Sequence, residues 1–382
     1  MRRTFWAGLA LVLLAVTACG AGSPGGTDSS PQPTRAKSLM VIVTWDAAPS
    51  ATIRLIDDTG RVAATAQFTP PPRPGYSSCA SIIQPPVRVA AGAVYFSDNT
   101  GVVRKLARDG TVSTVVTFKL SNSQQALSFA VSPDGRQLIA IVLSTPALHD
   151  PPPKQLGDPY FGPGTWTLDL ETAVEGGATK MELHKDLGTA FPQPTVITGW
   201  DVVGPTATLQ TRICTQNVIP SVRYTGTLIH LASDGTHLER IGGGDCQAWD
   251  ELTDGTVLCG GSDWQSFSVR RRSGEVLWSG AGDILDDAKL SPDGNAVASA
   301  DGAVYLRYPV DTASYARHAA PQSLIAGWAG PDSVVVLRDD GRIGVAPVRD
   351  LTMFRDLGLS VSRFCPACGF NEVMALGSIP SA

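Results

Sequence analysis

The sequence predicts an all-β chain built from repeated four-stranded antiparallel sheets. Three observations lead there. Glycine and proline number 39 and 28 among 382 residues, too many helix breakers for a helical bundle. Aspartate–glycine turns recur between short apolar runs, the pattern of tight hairpins. Those turns also keep a constant spacing, which marks a structural repeat rather than scattered loops. With 43% hydrophobic residues the chain has enough apolar surface for a full core, so global disorder is excluded.

The first element lies outside the fold. Arg2 and Arg3 precede an apolar run from Phe5 to Val16, too short to span a bilayer stably. Small residues then lead to Cys19, and Val16-Thr17-Ala18-Cys19 resembles the lipobox of bacterial lipoproteins. That resemblance implies a signal peptide over residues 1–18 and a lipid on Cys19, with the chain held at the extracytoplasmic face of the cell membrane. Residues 19–38 are rich in Gly, Ser and Pro and read as a flexible tether carrying the folded part, residues 39–382.

The turns that define the repeat are Asp57 to Gly60, Arg108 to Gly110, Ser132 to Gly135, Ser233 to Gly235, Thr253 to Gly255, Ser291 to Gly294 and Gly330 to Ser333. Gly255 to Gly294, Gly294 to Ser333, Gly235 to Gly274 and Gly302 to Gly341 are each separated by 39 residues. A unit of that length holds four strands. The clearest unit reads Asp287 to Leu290, Ala296 to Ala300, Ala303 to Tyr308 and Ser314 to His318. A four-stranded antiparallel unit near this length is a propeller blade, and blades bury their faces by stacking around an axis. First-hairpin turns at Gly92, Gly135, Gly204, Gly255, Gly294 and Ser333 mark six blades. Leu39 to Thr44, Thr52 to Ile56 and Val62 to Phe68 are three strands without an inner partner, and Glu372 to Ile379 is a spare strand. Their pairing predicts a seven-bladed β-propeller of four-stranded antiparallel blades, closed by the N- and C-terminal strands.

The segments Ser132 to Ala140 and Ser291 to Ser299 resemble the first hairpin of bacterial WD40-like propellers, the group that includes YVTN and TolB-type repeats. The resemblance covers residues 39–379 and speaks to architecture, not activity. The Trp-Asp pairs at 200–201 and 249–250 fall in inner strands, so they do not match the eukaryotic WD dipeptide.

Strand order assigns loops to faces. Four long segments map to one end of the blades. These are Thr69 to Ser78 with Tyr76, Pro146 to Thr165 with His149, Tyr160 and Phe161, Cys214 to Thr225 with Arg223 and Tyr224, and Ser262 to Ser266 with Trp264. Long loops gathered on one end of a rigid scaffold are where contact is expected, so these seven residues are the candidate partner-binding set. Six cysteines remain besides Cys19, an even number that favours disulfides in an exported chain. Cys246 opens an inner strand and Cys259 ends its neighbour, which suits a bridge. Cys365-Pro366-Ala367-Cys368 reads as a short structural disulfide, since no helix follows to activate a thiol. Cys79 would then pair with Cys214, although cross-pairing of Cys79 and Cys214 with the C-terminal pair stays open.

Catalytic motifs are missing. There is no Gly-x-Ser-x-Gly, and the five histidines form neither His-x-His nor His-Glu-x-x-His, so no metal and no cofactor is expected. His230 and His237 are expected at the surface, Arg270-Arg271-Arg272 on a solvated face, and Gly242-Gly243-Gly244 as a linker between blades. Trp200, Trp249 and Trp328 are expected to pack between blades, with Asp201, Asp250 and Glu251 at the same level of the ring. A net charge of −5 with dispersed basic residues argues against nucleic acid. The sequence therefore favours a monomeric, non-enzymatic binding or scaffolding module for an envelope protein, peptide or glycan. The alternative is a propeller enzyme, a lyase or hydrolase, with a polar site in the mouth of the ring.

Overall fold

The structure, a computed structural model, describes residues 38–45, 50–71, 86–121, 124–147, 163–189, 195–210, 226–261, 266–281, 288–299, 302–307, 315–319, 323–361 and 373–379. Among these residues every regular element is a strand. The first three are β1 (Leu39–Trp45), β2 (Ala51–Ile56) and β3 (Val62–Phe68). Next come β4 (Val87–Ala90), β5 (Ala93–Ser97), β6 (Val102–Leu106) and β7 (Val112–Thr117). They are followed by β8 (Gln125–Val131), β9 (Gln137–Ser144), β10 (Trp166–Val174) and β11 (Lys180–Gly188). Then stand β12 (Thr195–Trp200), β13 (Pro205–Gln210), β14 (Gly226–Leu231) and β15 (His237–Arg240). After them run β16 (Gln247–Glu251), β17 (Val257–Gly260), β18 (Ser266–Arg270) and β19 (Val276–Ala281). The chain continues with β20 (Lys289–Leu290), β21 (Ala296–Ser299), β22 (Ala303–Arg307) and β23 (Tyr315–Ala319). It ends with β24 (Ser323–Gly330), β25 (Ser333–Arg338), β26 (Arg342–Pro347), β27 (Arg355–Ser360) and β28 (Val373–Ile379).

Pairing runs through consecutive strands. β4 to β7, β8 to β11 and β20 to β23 are separate four-stranded antiparallel meanders. β12 to β15 meets β16 to β19 through one residue pair, Gly226 with Ala248. β28 pairs antiparallel with β1, with Leu39 opposite Ile379 and Thr44 opposite Val373, so it heads the order β28-β1-β2-β3. β28 also touches β24 in parallel, Gly327 opposite Ala375 and Trp328 opposite Leu376. A Cβ at Gly327 would lie 2.2 Å from the Ala375 carbonyl oxygen, and its φ is 138°. Only glycine permits that approach.

Burial follows strand position within each group. Second strands such as β5 and β21 are buried along their whole length, because a neighbouring sheet covers each of their faces. Outer strands are polar and open, as in β15, whose residues are all exposed. Packing between consecutive groups supplies the core. Val103 and Val116 pack with Leu127 and Phe129, and Phe267 and Trp278 with Val297 and Tyr305. Phe267 meets Trp278 edge-on at 5.3 Å and Tyr305 at 5.4 Å between ring centres. Two indole N–H groups tie sheets together, Trp278 donating to the Gly294 carbonyl at 2.9 Å and Trp328 to the Lys289 carbonyl at 3.0 Å. The architecture is that of a propeller-type all-β protein: four-stranded units stacked face to face with polar outer edges.

The repeated turns share atomic detail. In one, the Ser132 hydroxyl accepts the Gln137 N–H at 2.9 Å, and the Asp134 carboxylate accepts the Arg136 N–H at 3.1 Å. In the other, Ser291 accepts the Ala296 N–H at 2.8 Å, and Asp293 accepts the Asn295 N–H at 3.2 Å. Both serine hydroxyls donate to the aspartate of their own turn. The Ser-Pro-Asp-Gly signature thus encodes one hairpin geometry twice.

Candidate functional site

Inner strands of several sheets surround a cavity of about 590 Å³. Its walls come from β4 (Arg88 to Ala90), β8 (Ala130, Val131), β12 (Thr198 to Trp200), β16 (Ala248 to Glu251) and Lys289 of β20, with Ser378 of β28. Ala91, Gly92, Pro133, Leu252 and Thr253, from the turns joining first to second strands, line one end. The loops singled out from the sequence attach to the opposite ends of the strands. The volume falls within the roughly 300–1,000 Å³ of small-molecule pockets.

Three kinds of group line it. Arg88 reaches across three sheets. Its Nη1 donates to the carbonyl of Val87 at 2.9 Å, Nε to that of Phe129 at 3.0 Å and Nη2 to that of Ile197 at 3.5 Å. A guanidinium with five donors in a fixed fork can hold several carbonyls at once, as no lysine could. The carboxylates belong to the same lining. Asp250 accepts the Leu290 N–H at 2.8 Å, and Lys289 Nζ lies 3.6 Å from its other oxygen. Glu251 accepts the Thr206 hydroxyl, and Thr206 in turn lies 3.2 Å from Thr198 Oγ1. Gly199 makes room for this carboxylate, since a Cβ there would lie 2.4 Å from Glu251 Oε1. Third are the indoles of Trp200, half-buried, and Trp249, 6% exposed and laid over Gly260.

Burial pushes the Glu251 carboxyl up to about 7, against hydrogen bonds from Thr206 and Thr198 that pull it down. The neutral acid therefore suits the fold better than the anion. Its stabilising contribution is fully present below the unfolded value of 4.5 and is lost as pH rises through about 7. The melting temperature of the native chain is expected to fall between pH 5 and pH 8, and Glu251→Gln, which stays neutral, is expected to flatten that fall. Parallel profiles for the two proteins in thermal scans would show that Glu251 titrates as an ordinary carboxylate.

Behind the wall lies a second polar cluster. Asp201, 2% exposed, stands in the turn after β12 and aims one oxygen at an imidazole and a guanidinium. His230 Nε2 lies 2.9 Å from it and Arg272 Nη2 donates to it at 2.7 Å. The other Asp201 oxygen accepts the N–H groups of Val203 at 2.7 Å and Gly204 at 3.1 Å. His230 Nδ1 faces Glu239 at 3.0 Å.

Several sequence expectations change here. His230 is 1% exposed, not at the surface, because it fills the junction between β14 and the following sheet beside Asp201. His237 is exposed as expected. In the arginine triplet only Arg271 is solvated, through its pair with Glu275. Arg270 is bidentate to Asp245 and Arg272 binds Asp201, so two of the three are committed to neighbouring turns. Trp249 and Trp328 pack as expected, whereas Trp200 keeps an open side on the cavity. Asp250 and Glu251 do share the cavity wall, but Asp201 turns away into the protein. Gly242 to Gly244 links β15 to β16.

The Cys246–Cys259 disulfide is present, with Cα atoms 5.1 Å apart at the open end of the β16–β17 hairpin. Closing so short a loop contributes about 3 kcal/mol. Cys19, Cys79, Cys214, Cys365 and Cys368 lie outside the described residues, as do Tyr76, His149, Tyr160, Phe161, Arg223, Tyr224 and Trp264. Sequence reasoning missed Arg88, Thr198, Thr208 and Lys289. The available signal was a polar residue inside a strand with apolar neighbours, a pattern too common to act on.

No known family model matches the chain, and no curated protein sequence matches it. Among solved structures it is similar to an oligogalacturonate lyase in complex with manganese, at 9% identity and a TM-score of 0.47 over 81% of this chain and 96% of that one. It is similar to BamB from Moraxella catarrhalis at 15% identity and a TM-score of 0.39, over 81% of each chain. It is also similar to Sqt1 from Saccharomyces cerevisiae at 12% identity and a TM-score of 0.42, over 85% of each chain. At these identities nothing about ligand or activity passes from those proteins to this one.

Proposed function

We propose that this chain is a lipid-anchored binding module at the extracytoplasmic face of the cell membrane, built as a closed propeller of seven blades. Pairing of β28 with β1 supports closure, as does the packing of Met40, Ile42 and Ile56 against Val335, Leu337 and Ile343. The lipobox-like run ending at Cys19 supports the anchor. The observation that carries the binding reading is the cavity itself. Several sheets contribute charged, hydroxyl and indole groups to one space, and those groups are held in place by the rigid inner strands. The loops bearing Tyr76, His149, Tyr160, Phe161, Arg223, Tyr224 and Trp264 are proposed to hold the envelope protein, peptide or glycan partner at the other end. A monomer with no bound cofactor or metal suffices for this role.

Photocrosslinking in intact cells tests it. A crosslinker at Tyr160 is expected to trap a discrete protein or glycan adduct, and one at Lys180, on the outermost strand β11, is expected to trap none. No adduct from Tyr160 would overturn the loop assignment. One observation favours a second reading, a propeller enzyme. Glu251 is a carboxyl near pH 7 beside a cavity, as a general acid would be. Substrate turnover that Glu251→Gln abolishes, with substrate binding retained, would establish that reading instead.

A further inference from the structure

The cavity contains a group that the protein itself leaves unserved. Thr208 of β13 is 2% exposed, and its hydroxyl has no hydrogen-bond partner among the described residues. It borders the cavity. Leaving a buried hydroxyl without a partner is unfavourable, and the cavity is the space beside it from which a partner can come.

The charges around it constrain what that is. Asp250 and Lys289 face each other at 3.6 Å on the cavity wall, an acceptor beside a donor. A cationic ligand would have to displace Lys289 from Asp250, and an anionic one would have to displace Asp250 from Lys289. Neighbouring hydroxyl groups on one ligand need displace neither, because a hydroxyl both donates and accepts. One can accept from Lys289 while the next donates to Asp250. Trp200 adds indole surface from an inner strand, suited to an apolar C–H face. A ligand with a rim of hydroxyls and an apolar face is a sugar ring.

We propose that the cavity is a binding site for a neutral saccharide, with Thr208, Asp250 and Lys289 meeting its hydroxyls and Trp200 meeting its face. This assignment rests on the reading of the protein as a binding module and gives the cavity its ligand class.

Calorimetric titration of the full lipidated chain tests it, in a detergent without a sugar headgroup. The probes are maltotriose, cellotriose and triacetylchitotriose, with trigalacturonic acid and deacetylated chitotriose as charged sugars of the same length. At least one neutral trisaccharide is expected to bind, and both charged sugars to bind about tenfold more weakly or worse. Thr208→Val keeps the side-chain shape and removes the hydroxyl. It is expected to lower affinity by about tenfold while the melting temperature of the free protein holds or rises. A purely structural threonine would give the reverse, a lower melting temperature with unchanged affinity. Trp200→Ala is expected to weaken binding by about tenfold or more. The proposal is overturned if no neutral sugar gives heat, if a charged sugar binds more tightly, or if Thr208→Val leaves affinity unchanged. A partner adduct from Tyr160 without saccharide binding would keep the binding module and discard its cavity ligand. Saccharide binding without an adduct would do the opposite.

Discussion

Asp201→Ala is expected to destabilise the protein by about 3–5 kcal/mol, the cost of breaking a buried ion pair by removing one partner. Asp201 and His230 side chains are each 2% exposed, so water cannot replace the lost carboxylate. The change leaves the Arg272 guanidinium, its side chain 24% exposed, and one nitrogen of the buried His230 without their partner. It also releases the Val203 and Gly204 N–H groups that shape the turn after β12. The junction depends on that turn, because the Val202 N–H donates to the Thr253 carbonyl at 2.9 Å in the next first-hairpin turn. Glu239→Ala is the comparison. Glu239 is 56% exposed and its bond to His230 can pass to water, so a loss under about 1 kcal/mol is expected. Urea unfolding at pH 7 reads both, as a lower midpoint with unchanged slope. Equal losses from the two variants would show that the Asp201 cluster does not hold the junction together.

Deleting residues 373–382 is expected to remove cooperative folding altogether. β28 contributes Val373 and Ile379 to the core, 1% and 0% exposed, and covers the hydrogen-bonding edge of β1. Without it, β1 would present Leu39 to Thr44, an almost wholly buried apolar strand, as an open edge. Such an edge pairs with other chains, so aggregation is expected. The parallel contact of β28 with β24 would be lost with it, leaving Gly327 and Trp328 without their neighbour. Removing only residues 380–382 keeps β28 and is expected to leave folding intact. Gel filtration and thermal scanning compare the two. If the longer deletion eluted free of aggregates with a melting temperature within a few degrees of the parent, β28 would not be needed to complete the sheet.

Much of this architecture was legible in the chain. The Ser-Pro-Asp-Gly turns at 132–135 and 291–294 set their hairpins through contacts within five residues of one another, which a sequence shows directly. The strand at 62–68 and the disulfide of Cys246 with Cys259 were also readable, the first with the bounds it has in the structure and the second from hairpin geometry. The site was read less well. The sequence placed His230 at the surface because His237 and the polar strand around it suggested an outer hairpin. Burial of His230 depends on Asp201, 29 residues earlier, and on Arg272, which reaches Asp201 from 71 residues later in the chain.

That contrast separates what each level decides. By itself the sequence determined the strands, their turns, the repeat and the polar outer rim, because these follow from local propensity and the two-residue period of a strand. Only the tertiary structure decided which polar side chains meet. Arg88 holds carbonyls 41 and 109 residues away, and Glu251 finds its partner in Thr206, 45 residues earlier. The raised pKa of Glu251 and the unserved hydroxyl of Thr208 exist only once separate sheets enclose them. The free energies of such groups are set by burial and by partners from other units, and no local pattern in the chain carries that information.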